Sequence, residues 1–432
     1  MIPEKRWYPG EVDVPAGDLA SHRPARFHNH ERLLRTLEER NLDGVVAYLR
    51  PNVLYLAGYA PRSSVSIHET NGYAAVVLSR HAPDHPVLVC AEFDLDYVLE
   101  IGTWVEDVRA FATLLLPFDV PISPESFDKF VPEAVRQTPW GARARENYLP
   151  SLVDGVRSAL TDLGLVGRRV GFDDLRFANI FQGELETVDA YGTFKHVREV
   201  KTPEEIVLLR RAAALNQKAI EETVAAWEPG ATWEDLTKHY HRVASDMGGY
   251  VHDPGAMVVA NPYGAEAAFY MMGRRENYVL EPGMSMMFDC HGTIDHYCWD
   301  GGKTWVVGAE REGQAKRIEE ACITTMTEME AAMVPGTHLS ELQQIGRDVF
   351  RRHGVPGAED ILLFFHGIGL EHIDLEITSP AGRLDWKLEE GMVLSTHLVY
   401  PGDDRTRYYI EDNVVIEPDG GASIYAWTFE SL

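Results

Sequence analysis

Cysteine is scarce in this 432-residue sequence: Cys90, Cys290, Cys298 and Cys322 are the only four, and their spacing is irregular. That excludes a disulfide framework and points to a reducing compartment. Long apolar runs are missing too, since no stretch approaches the roughly 18 residues of a membrane-spanning helix. The opening Met-Ile-Pro-Glu-Lys-Arg-Trp-Tyr has no hydrophobic region of the secretory kind, so the expectation is a cytoplasmic protein without a membrane partner. Positive charge is in deficit: 40 Lys and Arg stand against 67 Asp and Glu, a net charge of -27. Bulk electrostatics therefore oppose binding to nucleic acid or anionic membrane. Anionic small molecules stay open, because a bound metal ion overrides the global field locally. What is present, 45% hydrophobic and 25% charged residues, suits a globular chain with more than one core.

Residues 1–28 are polar and proline-rich and read as an arm across the surface or a partner subunit. Positions 30–41 carry Leu33, Leu34 and Leu37 on one helical face. Short apolar runs at 45–49, 53–56, 73–78 and 86–90 read as strands, bounded by Gly, Pro or charge. Residues 114–140 are proline-rich and aperiodic, which predicts a long loop or lid. Helical patterns at 151–163 and near 175–185 flank a strand signal at 169–172. This alternation predicts an α/β N-terminal domain over 1–195. Thr202, Pro203 and Glu205 then form the sequence of a capping box opening a long helix.

The second half, 196–432, contains a repeat. Pro229-Gly230 precedes Leu236 and Gly248, and Pro335-Gly336 precedes Leu342 and Gly354, at a common offset of 106 residues. Helix, break, capped helix and terminal glycine recur in register, which predicts two pseudo-symmetric halves. The same offset carries Asp289 to Ser395, two residues before His397.

Several acids and histidines lie beside apolar strand signals. Asp289 ends one run, and Asp300 opens another. His366 and His397 leave two more, and Glu411 stands inside an apolar strand, where an acid is costly unless paired or coordinated. Their convergence into one nitrogen and oxygen cluster is the economical explanation, and such donors suit a divalent transition metal. His291, two residues after Asp289, is a further candidate ligand.

With these motifs in order, the chain resembles the pita-bread metalloenzymes: prolidase, aminopeptidase P, methionine aminopeptidase and creatinase. The resemblance rests on Arg198-x-x-Lys201-x-Pro203-Glu204-Glu205-Ile206, the Asp289/Asp300 pair, His366-Gly-Ile-Gly-Leu370 and Ile410-Glu-Asp-Asn-Val-Val415. Asn52-Val-Leu-Tyr55-Leu-Ala-Gly58-Tyr is similar to the creatinase/prolidase N-domain. It implies an α/β N-terminal domain, an α+β pita-bread C-terminal domain with a pseudo-two-fold duplication, and a homodimer. It also implies one or two ions of Fe, Mn or Zn on Asp289, Asp300, His366 and Glu411. The fifth ligand, a glutamate in the family, falls on His397. The family's second histidine, seven residues after the ligand histidine, is replaced by Ile373, with His372 one place early. Tyr270 or Phe269 stands where the peptidases carry a histidine ahead of the first aspartate.

These departures weaken the case for routine Xaa-Pro hydrolysis. A dimethylsulfoniopropionate lyase of the same fold is similar in carrying an acid where this chain has His291, and its base where this chain has His372. The expectation is a metal-dependent hydrolase of a small C–N or amide substrate, with His372 or Asp374 moving protons and Tyr270 and Trp299 packing the substrate. The alternatives are a lyase acting on a small carboxylate, with His372 as base, and a metal-free binding or scaffold protein.

Overall fold

A computed structural model describes residues 3–10, 26–62, 71–113, 115–259, 277–376 and 385–432. The chain forms two compact units, Arg23–Arg198 and Glu199–Leu432, the latter joined by Met1–His22. The opening segment, expected in the first domain, thus groups with the second. Among the described residues no helix is long and apolar enough to cross a membrane.

The first unit is built on a mixed six-stranded sheet in the order β4-β3-β2-β1-β5-β6. Its strands are β1 (Gly44–Leu49), β2 (Asn71–Ser79), β3 (Val87–Ala91), β4 (Asp107–Phe111), β5 (Arg169–Phe172) and β6 (Glu186–Asp189). Val46, Val77, Val89, Val170 and Phe172 bury one core with Val156, Ala159 and Leu160 of the helix Leu152–Asp162. Two expectations fail here. Residues 53–56 belong to the helix Arg50–Ala57, because Pro51 opens a helix readily and Gly58, at φ 73°, closes it in the left-handed region. The stretch 114–140, expected as a loop, carries the helices Pro124–Phe130 and Glu133–Arg136 and the start of Pro139–Glu146. Pro124 and Pro139 sit at helix starts, behind the caps Ser123 and Thr138.

The second unit contains the expected duplication. Helices Pro203–Ala225 and Trp233–Asp246 precede β7 (Tyr250–Val259), β8 (Ser285–Ile294) and β9 (Tyr297–Val306). Helices Gly313–Ala331 and Leu339–His353 precede β10 (Leu362–Gly367), β11 (Val393–Tyr400) and β12 (Tyr408–Glu417). The sheet order is β10-β11-β12-β9-β8-β7, two three-stranded halves related about the β12/β9 seam, with β13 (Gly420–Ser423) paired to β12. The capping box of Thr202 and Glu205 is formed as the sequence predicts. Leu363, Leu398 and Ile410 pack one sheet face against Ile318, Cys322, Met326 and Met329 of the helix layer.

Candidate metal centre

Side chains of directly opposed antiparallel residues share a sheet face, and so do residues two apart on one strand. His291 opposes Asp300 across β8/β9. Gly302 opposes Glu411 across β9/β12, and His397 opposes Glu411 across β11/β12. Phe364, two before His366, opposes His397. Asp289, His291, Asp300, Glu411, His397 and His366 therefore all face one side of a single sheet, opposite the helix-packed side. Asp289 and Asp300 lie within strands, not at strand ends as expected, because the chain reverses later, at Asp295 (φ 50°) and His296 (φ 69°). Positive φ at both central residues makes the β8–β9 connection a tight hairpin.

Asp300, His366, His397 and Glu411 offer ligand atoms within 4.8 Å of one another, and Asp289, His291 and Asp300 form a second such group sharing Asp300. His366 Nε2 and His372 Nε2 lie 3.1 and 3.2 Å from Asp300 Oδ2. His397 Nε2 lies 2.9 Å from Glu411 Oε1, and His291 Nε2 lies 3.1 Å from Asp289 Oδ1. The approaches to Asp300 Oδ2 and Glu411 Oε1 are close but not aligned as hydrogen bonds. Both oxygens, and His397 Nδ1, are buried with no hydrogen-bond partner. Buried carboxylate oxygens without donors are expensive, and a cation bound between them would satisfy them. The donor set fits a divalent transition metal.

The electrostatics agree. Burial, then the Glu411 and Asp289 charges, push the Asp300 carboxyl well above the usual range. Burial opposes ionisation of Glu411 as well, but His397 and the Tyr409 hydroxyl outweigh it and hold Glu411 below the usual range. Two carboxylates this close cannot both ionise without a positive charge between them. Burial, then the His397 charge, lowers His366 to about 4. Burial, then His366 and His291, lowers His372 to about 3, with His252 of β7 adding to the effect. Both rings are neutral at physiological pH, the form that offers a lone pair. His291 moves the other way, because pairing with Asp289 outweighs its burial.

The centre is braced from residues that sequence reasoning did not single out. Tyr409, two before Glu411 on β12, donates its hydroxyl to Glu411 Oε2 at 2.6 Å. Asn413 Nδ2 and Tyr425 Oη both donate to the Asp300 carbonyl, at 2.9 Å each. The spacing Tyr409-x-Glu411-x-Asn413 on an alternating strand was the available signal. The turn after His366 is fixed by its glycines: a Cβ on Gly369 would meet Asp374 Oδ2 at 2.3 Å, and one on Gly367 the Asp374 carbonyl oxygen at 2.6 Å.

Two expected site residues take other places. Asp374 is 1% exposed and accepts the Leu370 N–H at 3.1 Å, so its carboxylate holds the turn that presents His372. Trp299 is fully buried on the opposite strand face from Asp300, donates to Tyr240 Oη at 3.0 Å and packs over Gly249 and Gly292. It has no surface for a substrate. Tyr270 lies outside the described residues.

Residues 207–418 match Metallopeptidase family M24. An uncharacterized peptidase of Staphylococcus aureus is 28% identical over 240 residues, a match covering 54% of this chain and 65% of the relative. Among solved structures, the X-Pro aminopeptidase from Thermotoga maritima is similar at TM-score 0.65 and 18% identity, covering 94% of this chain and 99% of that one. The Xaa-Pro dipeptidase from Bacillus anthracis is similar at TM-score 0.65 and 20% identity, covering 93% and 98%. Prolidase from Pyrococcus furiosus gives 0.63 and 18%, covering 91% and 99%. These likenesses show the two-domain pita-bread fold.

Proposed function

We infer that this chain, whose residues 207–418 match Metallopeptidase family M24, belongs to that family and is a metal-dependent hydrolase of a small C–N or amide substrate, divergent from the Xaa-Pro peptidases. The observation that carries this reading is the four-strand group Asp300, His366, His397 and Glu411, with its donor-free buried oxygens. These four residues would hold an ion of Fe, Mn or Zn, and Asp289 and His291 would hold a second through the shared Asp300. A bound ion of this kind polarises a carbonyl and lowers the pKa of water.

The residues themselves supply the rest. His397 is an imidazole and cannot bridge two ions as a carboxylate does, which favours one firmly held ion over a matched pair. His372 has 36% of its side chain exposed, the most open of the clustered histidines, and its ring is kept neutral. It takes up a proton at Nε2 and releases it to solvent. Asp374 positions His372 through the turn. The reading includes a small-molecule substrate, a homodimer and a cytoplasmic setting.

A second reading, elimination from a small carboxylate, draws on the same exposed imidazole beside Asp300: His372 would remove a carbon-bound proton. Turnover of a panel of Xaa-Pro dipeptides, other small amides and dimethylsulfoniopropionate separates the two. His372→Asn is expected to abolish turnover and leave metal content unchanged. Full turnover by that variant would remove His372 from the chemistry, and an alkene product would favour elimination.

A further inference from the structure

Alternation along β12 turns Asp412, next to Glu411, toward the helix-packed face. Asp412 is fully buried there, and it lies against Glu330 of the helix Gly313–Ala331, whose two carboxylate oxygens are buried without a hydrogen-bond partner. Two acids thus share an interior space immediately behind a proposed metal ligand. Lys303 is close but spends its ammonium on the carbonyls of Thr428 and Glu430, at 3.0 and 2.8 Å.

The positive charge that meets this pair comes from the opening segment. Lys5 Nζ lies 2.7 Å from Asp412 Oδ2, with side-chain exposures of 7% and 0%. It also donates to the Trp427 carbonyl at 3.1 Å and sits 3.8 Å above the Phe429 ring. Asp412 Oδ1 accepts the Ser423 hydroxyl at 2.8 Å. The backbone around Lys5 is held in place as well: Tyr8 N–H donates to the Ser423 carbonyl at 2.8 Å, and Ser423 N–H donates to the Arg6 carbonyl at 2.9 Å. Arg6 pairs with Glu417 at 2.8 Å, further along β12. The segment is thus bonded to β13 and to β12, and its one buried cation is directed at the residue beside Glu411.

We propose that Lys5 is a positioning residue for the metal centre: by neutralising Asp412 it fixes β12 from behind and holds Glu411 where it binds metal. The inference rests on the reading of Glu411 as a ligand. A buried ion pair broken on one side leaves an uncompensated charge that the surroundings must move to relieve. Here the mobile element would be the strand bearing Glu411. Loss of such support behind a ligand typically weakens metal affinity by about 10–100-fold.

The test is equilibrium dialysis of the full chain against Mn(II) or Zn(II), with circular dichroism as the check on fold. Lys5→Met, which keeps the stem over Phe429, is expected to bind metal at least about 10-fold more weakly with an unchanged spectrum. Lys5→Met/Asp412→Asn, which removes both charges, is expected to recover most of the affinity, as a merely local packing role of Lys5 would not allow. If Lys5→Met alone is insoluble, the double variant still decides: soluble, metal-binding protein supports the inference and its failure overturns it. Wild-type affinity in Lys5→Met beside weakened Glu411→Gln overturns the role of Lys5 alone. Wild-type affinity in Glu411→Gln overturns the ligand assignment, and this inference with it.

Discussion

Tyr409→Phe removes one oxygen atom from the wall of the centre, and its consequences can be worked through. Tyr409 is 2% exposed, and its hydroxyl is 2.6 Å from Glu411 Oε2. The other oxygen, Oε1, has no hydrogen-bond donor. The substitution leaves the carboxylate of Glu411 buried with neither oxygen hydrogen-bonded. Hydrogen bonds to charged groups contribute about 1.5–3 kcal/mol, and a stranded buried acceptor costs about as much. For a unit of this size each kcal/mol moves Tm by about 2–4 °C. The metal-free protein should therefore melt roughly 3–12 °C lower than wild type in scanning calorimetry with a chelator. Burial, then the Asp289 and Glu411 charges, raise the Tyr409 hydroxyl well above its ordinary value, so it stays a donor through neutral and mildly alkaline pH. The difference between variant and wild type should accordingly be constant from pH 7 to about 10. Metal should restore part of the loss, because coordination replaces the missing donor. A variant with wild-type Tm in chelator and wild-type metal affinity would refute the reasoning that Glu411 is a buried, poorly satisfied carboxylate in the metal-free centre.

Other outcomes follow from the same packing. Asp374→Asn should keep turnover within a few fold while lowering Tm, because the carboxylate holds a turn; loss of kcat at unchanged stability would restore its proposed proton role. Trp299→Phe should destabilise by about 1–3 kcal/mol, through the lost bond to Tyr240 and the space left over Gly292, with KM unchanged. His28 is held to about 3 by burial first, then by the charges of His30 and Arg26. Its unfolded value near 6.5 means the unfolded chain binds the extra proton, so stability of the first unit should fall as pH drops from 6.5 toward 3, by roughly 4 kcal/mol in all. His28→Phe should flatten that profile in urea titrations at each pH.

Much of the second unit was legible because its signals are local and repeated. Pro229-Gly230 and Pro335-Gly336 end helices in both halves, with the glycines at φ 98° and 100°, and Thr202 and Glu205 cap where their spacing says. The clustered acids and histidines were legible as residue types in apolar strands. Their location along the strands was misread, since Gly292 and the Gly301-Gly302 pair look like turn residues. In the sheet they are there for room: a Cβ on Gly292 would meet Trp299 at 2.1 Å, and one on Gly302 the Phe288 carbonyl oxygen at 1.9 Å. Trp299 was misread for the same reason, because moving the turn to Asp295 and His296 puts it in mid-strand facing the core. The bracing by Tyr409, Asn413 and Tyr425 depends on cross-strand pairing, which a linear spacing does not specify.

The central claim is that Asp300, His366, His397 and Glu411 bind a divalent transition metal. Elemental analysis of protein purified from metal-replete cells, compared with Asp300→Asn and His397→Ala, tests it most directly. The account predicts close to one ion per chain in wild type and little in either variant. Wild-type protein without metal, or variants that retain it, would contradict the account.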